Sequence, residues 1–363
     1  MKFSIVRSKF LSALQTVQNV VTTKGTLQIL QNVLLKAEDN LLSLTTTDMD
    51  ISEKCNVECE IQVPGQTSLP IKRLVSVLPL LNDEKVEIEV DENDMAHLRC
   101  GSADFKLIGL SVRDFPPVPV PEGNFSYKVD QGAFREMLKK TSYATSQDET
   151  RRALTGVLLA FRDSKLTMVA TDGRRLALVE KEIEFPAEAE REIILPRKTV
   201  NELVHLLQNE GDLKIYAKEG LAIFDLGNVI LTSKLIDSVY PNYRQVIPTG
   251  CDERVVIDRE SFLSAIRRVS AVTTDKSNSI TFTFGSNQLI ISTNSKDVGE
   301  GRDTLPVKYA GKEISIIFNP EYVMEPLKTI EEDEVYLELS DGHSPALLKC
   351  GIPFLYVLMP LRV

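Results

Sequence analysis

The residue types that most often carry catalysis or hold metals are sparse and scattered in this chain of 363 residues. The three histidines, His97, His205 and His343, fall in a strand-like stretch, on a predicted helix and at a turn, and none pairs with another histidine at metal-site spacing. Cys55 and Cys59 stand four apart, not in the Cys-x-x-Cys arrangement of zinc and redox sites. With Cys100, Cys251 and Cys350 they make an odd set without disulfide spacing. They are expected to be reduced, buried thiols, as in a cytoplasmic protein. Glycine-rich phosphate loops, dinucleotide fingerprints and nucleophile elbows do not occur. The acidic clusters Asp91-Glu-Asn-Asp94 and Glu331-Glu-Asp-Glu334 sit at turn-like positions, where solvated loops are expected. A hydrolytic role would need two such carboxylates to converge in one cleft. These features favour a non-enzyme without metal or cofactor.

The elements that would position any site come three times over. Phe3 to Leu14, Tyr127 to Leu138 and Val255 to Ile266 each begin with a short alternating strand and then switch to helical spacing. The apolar positions are Phe10/Leu14/Val17, Phe134/Leu138 and Phe262/Ile266/Val269, with Ser8, Asp130 and Asp258 as candidate caps. Phe10, Leu34 and Thr47 each lie 124 residues before Phe134, Leu158 and Thr171. Second helices are predicted over about 71–81, 197–208 and 320–330, and strands such as 85–90 and 334–339 show period-two alternation. Turns are expected at Asp39-Asn40, Asp172-Gly173 and Asp341-Gly342. The chain therefore reads as an α+β protein of three units, 1–121, 122–248 and 249–363. The proline-rich 116–121 and the loop 248–252 mark the boundaries.

Hydrophobic residues at 43% and charged residues at 26% exclude a chain that is mainly disordered. No apolar run approaches the roughly 20 residues of a membrane helix, and the polar opening after Met1 does not resemble an export signal, so a cytoplasmic protein without membrane contact is expected. The net charge of −10 is unevenly spread. The six predicted helices sum to +6 and the remainder to −16. If the helices share one side, a weakly basic face on an acidic body would attract a nucleic-acid duplex there and repel it elsewhere. The alternative is that these charges only solvate helix surfaces. A repeat-built scaffold that never touches DNA stays open on the same grounds.

Three segments narrow the choice: Ala170-Thr-Asp-Gly-Arg-Arg-Leu-Ala177, the stretch from Ser233 to Pro248, and the C-terminal Tyr356-Val-Leu-Met-Pro-Leu-Arg-Val363. With the threefold repeat, they resemble the bacterial sliding clamps, the beta subunits of DNA polymerase III, across the whole chain. The resemblance implies a non-enzymatic, head-to-tail homodimer. Its six clamp domains form a ring with helices lining the hole and antiparallel sheets outside. Such a ring encircles double-stranded DNA without sequence preference. It tethers the DNA polymerase III catalytic subunit, is placed by a clamp loader, and serves other polymerases and repair proteins that carry a clamp-binding peptide.

The resemblance also implies sites. Leu154, Thr171, Leu176, Pro241, Val246, Val357 and Met359 would form an apolar cleft for partner peptides, with Gly173 allowing close backbone approach. Arg151, Arg174, Arg175 and Arg362 would rim it, and Asn319, Tyr322, Pro360 and Leu361 would extend it. DNA would face Lys24, Arg73, Gln147 and Lys198, and then Arg135, Lys139 and Lys140. The dimer seam would join Phe105 and Leu107 to Ala271 and Val272, with Glu300 and Asp303 pairing across it with Lys106 or Arg99. Departures from the family pattern are Arg174 in place of a frequent His, Gln245 in place of Arg, His343 in place of a small apolar residue, and Leu361 and Val363 in place of Met and Leu.

Overall fold

The computed structural model describes residues 1–22, 27–122, 126–274, 278–295, 298–351 and 353–361. Two sequence-predicted site residues, Lys24 and Arg362, lie outside them. Six α-helices occur among the described residues: α1 (Arg7–Val17), α2 (Ile71–Val77), α3 (Gln131–Ser142), α4 (Arg197–Leu206), α5 (Arg259–Ser270) and α6 (Pro320–Thr329). They alternate as first and second helix of each repeat, two per copy, within one or two residues of the predicted starts.

The first helices form because their apolar spacing has a sheet to cover. Phe10, Leu14 and Val17, then Phe134 and Leu138, then Phe262, Ile266 and Val269 are all buried. In each copy the leading Phe meets an aromatic partner at 6.0–6.4 Å between ring centroids: Phe3, Phe224 and Phe282 respectively. Burial of such side chains stabilises by roughly 1.5–3 kcal/mol each. Two of the three expected caps are in place. Asp130 Oδ1 accepts from Ala133 N–H at 2.8 Å, and Asp258 Oδ1 from Ser261 N–H at 2.8 Å. Ser8 is not a cap, because α1 begins one residue earlier, at Arg7, with Val6 at the capping position.

An arginine of each first helix, the first residue of α1 and α5 and the fifth of α3, reaches the end of the second. Arg7 donates to Leu78 O and Leu81 O, Arg135 to Val204 O, and Arg259 to Leu327 O and Glu332 O. A guanidinium there satisfies carbonyls left over at the helix end and opposes its negative pole.

The chain divides into two compact units, residues 1–135 with 201–235, and residues 136–200 with 236–363. The first holds a five-stranded sheet, in the order Glu60–Val63, Lys2–Val6, Lys85–Val90, Met95–Cys100, Ala103–Ile108. It also holds an eight-stranded sheet, Tyr127–Asp130, Asp212–Lys218, Leu221–Asp225, Val229–Lys234, Ile51–Glu58, Leu41–Thr47, Asn32–Glu38, Gly65–Pro70. The second unit holds the corresponding eight-stranded sheet, Arg191–Pro196, Gly156–Arg162, Lys165–Thr171, Arg175–Glu182, Phe354–Leu358, Ala346–Lys349, Glu334–Leu339, Glu253–Asp258. Its other sheet has four strands, Gly299–Pro306, Gln288–Ser295, Ile280–Gly285, Ile314–Phe318.

Each eight-stranded sheet takes four strands from one repeat and four from the next. Val229–Lys234 pairs with Ile51–Glu58, and Phe354–Leu358 pairs with Arg175–Glu182, both antiparallel. Compactness therefore groups the chain differently from the sequence repeat: strands of the middle copy are shared between two sheets. The predicted hairpin turn at Asp39-Asn40 is present, with both residues at positive φ, 52° and 61°. All five cysteines are free. Cys55, Cys100 and Cys350 are buried as expected, but Cys59 and Cys251 are only partly so.

Ser261 Oγ–H and N–H hold the Asp258 carboxyl below the usual carboxylate range. Its capping contribution is thus complete above the ordinary carboxylate pKa and fades as pH falls through the lowered one. Asp258→Ala is expected to cost about 1 kcal/mol at pH 7 in urea unfolding. The two proteins should converge in acid, and a gap undiminished near pH 2 would show that the charged cap is not its source.

Candidate functional site

In the second unit, strand alternation sends Leu176 and Arg175 to opposite faces of the sheet. Leu176 belongs to an apolar cluster with Leu158, Ala160, Val169, Ile194, Tyr240, Tyr243, Leu347 and Val357, flanked by Leu154, Ile247 and Leu355. Of the predicted cleft residues, Leu154, Leu176 and Val357 are thus brought together. Met359, at 42% exposure, and Val246, at 52%, leave apolar surface open to solvent, and Pro241 is exposed. Met359 N–H donates to Arg174 O at 3.0 Å, which ties the C-terminal segment to the strand that carries Leu176.

Tyr240 and Tyr243 were not singled out from the sequence. Tyr240 packs in the cluster and its hydroxyl donates to Val169 O at 3.4 Å. Repeat equivalence with Phe115 was the available signal, since both precede a proline.

Thr171 to Arg175 form a tightly bonded turn. Thr171 Oγ1 donates to Arg175 O at 2.6 Å and accepts from Gly173 N–H at 3.1 Å. Asp172 Oδ1 accepts from Arg174 N–H at 2.8 Å and Arg175 N–H at 3.1 Å. Gly173 has φ of +86°, a conformation that costs a side-chain-bearing residue roughly 1–2 kcal/mol. Thr171 therefore shapes the turn and is buried.

The opposite side of the same strand is polar. A cavity of about 570 Å³ is bordered by Tyr143, Gln147, Arg151, Arg174, Arg197 and Tyr322. Arg175 is 8% exposed there and does not rim the apolar cleft. Its Nε meets Asp172 Oδ2 at 3.0 Å, its Nη2 donates to Tyr143 O at 2.7 Å, and Nη1 contacts the Glu325 carboxylate on α6. The guanidinium also lies 4.3 Å from the Tyr322 ring centroid. Tyr356 donates to Tyr322 O at 2.8 Å, and burial pushes its phenol well above the ordinary range, against the pull of Arg175.

Asn319 is likewise occupied: its Oδ1 accepts from Glu321 N–H at 2.9 Å and caps α6. Arg151 is exposed and donates to Asp172 O at 3.2 Å, and Arg174 is exposed. Pro360 and Leu361 are half-buried, and Leu361 N–H donates to Ile317 O at 2.8 Å. Gln245 and His343 are exposed.

The predicted DNA-facing residues divide. Arg73 on α2, Lys198 on α4 and Gln147 are exposed. Lys139 is bridged to Glu136 at 2.7 Å on its own helix. Arg135 is committed to Val204 O and Asn209 Oδ1. Lys140 is only 8% exposed, which removes it from the set: its position faces inward on α3.

Of the predicted seam residues, Phe105 and Leu107 are half-buried on Ala103–Ile108, an edge strand of the five-stranded sheet. Glu300 and Asp303 lie on Gly299–Pro306, an edge strand of the four-stranded sheet. Ala271 and Val272 follow α5 directly. Within the single chain these charges have partners at home. Asp303 is bridged by Arg268 at 2.7 Å, Arg99 lies 3.6 Å from both Glu89 and Asp104, and Glu300 accepts from Asn294. Lys106 is exposed. Among the described residues no group of three His, Cys, Asp or Glu could hold a metal ion, and no helix is long and apolar enough to cross a membrane.

Removing Arg175 would strand two carboxylates. Arg175→Ala is expected to destabilise by about 3 kcal/mol, the low end for a broken buried pair because Glu325 keeps partial exposure. Arg175→Lys should recover only part, lacking the planar fork. Denaturant midpoints check this, and a loss below about 1 kcal/mol would mean that the pair does not hold the junction.

Three domain families match the chain in order: DNA polymerase III beta subunit, N-terminal domain, over residues 1–119; central domain, over 128–242; and C-terminal domain, over 244–362. The beta sliding clamp of Pseudomonas putida is 34% identical over 368 residues, covering all of both chains. That of Chlamydia trachomatis is 30% identical over 363 residues, covering 100% of this chain and 87% of its own. Among solved structures, the sliding clamp of Bartonella birtlesii bound to griselimycin superposes with a TM-score of 0.95 at 33% identity, covering both chains fully. The DNA polymerase sliding clamp of Bacillus subtilis gives 0.96 at 27% identity, covering 100% of this chain and 99% of its own.

Proposed function

The chain belongs to the DNA polymerase III beta subunit family, the bacterial sliding clamps, and on that premise we propose which of its residues meet a peptide, DNA and a second copy of the chain. Its role is that of the family. It is a non-catalytic processivity subunit that works as a ring-shaped homodimer on DNA and binds DNA polymerase III and other clamp-binding proteins.

The peptide site is the apolar cleft of Leu154, Leu176, Val246, Val357 and Met359, with Tyr240 and Tyr243 as its floor. The observation that carries it is a buried apolar cluster beside which exposed apolar side chains stand in the chain, Val246 next to Ile247 and Met359 two residues beyond Val357. Arg151 and Arg174 border it, and Pro241, Pro360 and Leu361 extend it. Gly173 gives the turn beside it its shape. Arg175, Asn319 and Tyr322 hold the third repeat's α6 against the turn and thereby position the cleft. The adaptable thioether of Met359 suits a site that takes several partners.

For DNA, exposed Arg73, Lys198 and Gln147 are the candidates, on elements that recur in the repeat. A few phosphate contacts give weak, salt-sensitive attraction, which permits sliding. Three clamp domains, 1–121, 122–248 and 249–363, and a cytoplasmic setting supported by five free thiols complete the proposal.

The dimer follows from the repeat. Thr232 faces Ser52 at one junction and Val357 faces Leu176 at the next. The equivalent positions that lack a partner strand are Leu107 and Glu300, so Ala103–Ile108 should pair antiparallel with Gly299–Pro306 of the partner subunit, Leu107 opposite Glu300 of the partner subunit. Asp104 and Asp303 then face each other, each already neutralised by its own Arg99 or Arg268.

A labelled Gln-Leu-Ser-Leu-Phe peptide is expected to bind at about micromolar Kd (~−8 kcal/mol), weakened at least about fivefold by Met359→Ala. That loss corresponds to about 1 kcal/mol of lost apolar contact. Equal binding by both proteins in a fluorescence titration would place the site elsewhere. In sedimentation, Leu107→Glu should set like charges opposite each other and shift the dimer toward the 40.6 kDa chain. Leu107→Lys should keep more dimer than Leu107→Glu, and the reverse order would refute the register.

A further inference from the structure

The framework of the C-terminal cleft occurs a second time, within the unit of residues 1–135 and 201–235. A cavity of about 270 Å³ opens there, bordered by Leu34, Thr45, Lys54, Phe115, Ile230 and Thr232, with the segment 116–120 along one side. Each of the six has a repeat counterpart in the C-terminal cluster: Leu158, Val169, Leu178, Tyr240, Leu355 and Val357. Strand pairing enforces the match, since Thr232 stands opposite Ser52 as Val357 stands opposite Leu176.

The neighbouring turn is duplicated too. Thr47 Oγ1 donates to Ile51 O and accepts from Met49 N–H, and Asp48 Oδ1 accepts from Asp50 and Ile51 N–H at 2.9 and 2.8 Å. Met49 holds φ of +79°, close to the +86° of Gly173.

The lining differs in chemistry. Threonine replaces valine at 45 and 232, and lysine replaces leucine at 54. Lys36 and Lys54 are the charged residues of the lining, which contains no carboxylate. Lys36 is bridged to Glu38, whereas the Lys54 ammonium has no ion-pair partner among the described residues. Thr232 Oγ1 donates to Pro119 O at 3.3 Å and fixes the proline segment as one wall. Prolines in that wall have little conformational entropy left to lose when a ligand arrives.

We propose that this groove is a second peptide-docking site, for an extended segment that places one apolar side chain against Leu34, Phe115 and Ile230 and a neighbouring carboxylate on Lys54. Charge complementarity selects an acidic-apolar partner, and the volume, just under the roughly 300 Å³ at which ligand pockets begin, limits it to about one large side chain. The inference rests on the peptide reading of the C-terminal cleft for its analogy, and that cleft serves as the internal control.

The test is photocrosslinking of the full-length protein with the peptide Ser-Asp-photoleucine-Phe-Ser, mapped by mass spectrometry. Label is expected on 110–120 or 228–234 in addition to the C-terminal cleft. Replacing the peptide's Asp by Asn, or Lys54→Glu in the protein, should each lower the N-terminal label about two- to fivefold, the range of an exposed ion pair. The combination should add little, and Lys54→Glu should leave the C-terminal label constant. Label confined to the C-terminal cleft overturns the second site and leaves the first. Label confined to the groove supports it and overturns the cleft, and no label anywhere overturns both. Groove label indifferent to both charge changes overturns the proposal as well.

Discussion

Antiparallel pairing between strands of successive repeats is the constraint on which the other features depend. A copy of this α+β unit is an open arrangement, and an unpaired edge exposes backbone donors and acceptors that seek a partner. In this chain Val229–Lys234 closes the edge of Ile51–Glu58, and Phe354–Leu358 closes that of Arg175–Glu182. Because the edges are satisfied by the neighbouring copy, each junction is a continuous eight-stranded sheet. A cleft built across such a junction inherits the rigidity of backbone hydrogen bonding. That suits a site whose partners are short flexible peptides, since the order required for recognition is already present in the protein.

The second layer of organisation is a turn of four or five residues. Threonine and aspartate side chains bond their own following amides at 47–51 and again at 171–175. These are local bonds, so the turn forms whatever the strands beyond it contain. Divergence therefore falls on the residues that follow. Arg175, with Asp172, Glu325 and Tyr322, fastens the C-terminal junction, while Ile51 fills the same position apolar and buried in the N-terminal one. One scaffold thus carries a charged latch in one place and a greasy plug in the other.

The repeat made the elements legible before any coordinates. Phe10, Phe134 and Phe262 announced three first helices, and alternation announced strands such as Lys85–Val90. What could not be read was which face each arginine takes. Arg174 and Arg175 are adjacent and alike, yet one is exposed and the other buried, because strand alternation turns on a single residue of register. Lys140, read as an exposed helical charge, is buried for the analogous reason on α3. Charge partners were equally hidden. Asp303 and Arg268 are 35 residues apart, and only the folded packing of α5 on its sheet brings them together. Ser8 failed as a cap because the preceding strand runs directly into the helix, leaving no extended residue at position 8.

The charge balance of the molecule also acquires a physical sense. A protein that must hold DNA by contacts would be strongly basic, and its affinity would fall steeply with salt as counterions reclaim the phosphates. This chain carries −10 overall, and in each first helix an arginine is spent on its neighbour's carbonyls instead of on open surface. Closure of a ring removes the need for grip, because escape then requires opening the ring, not releasing phosphates. The weak electrostatic attraction that remains leaves the clamp free to move along the duplex, and the acidic remainder discourages DNA from binding anywhere else on its surface.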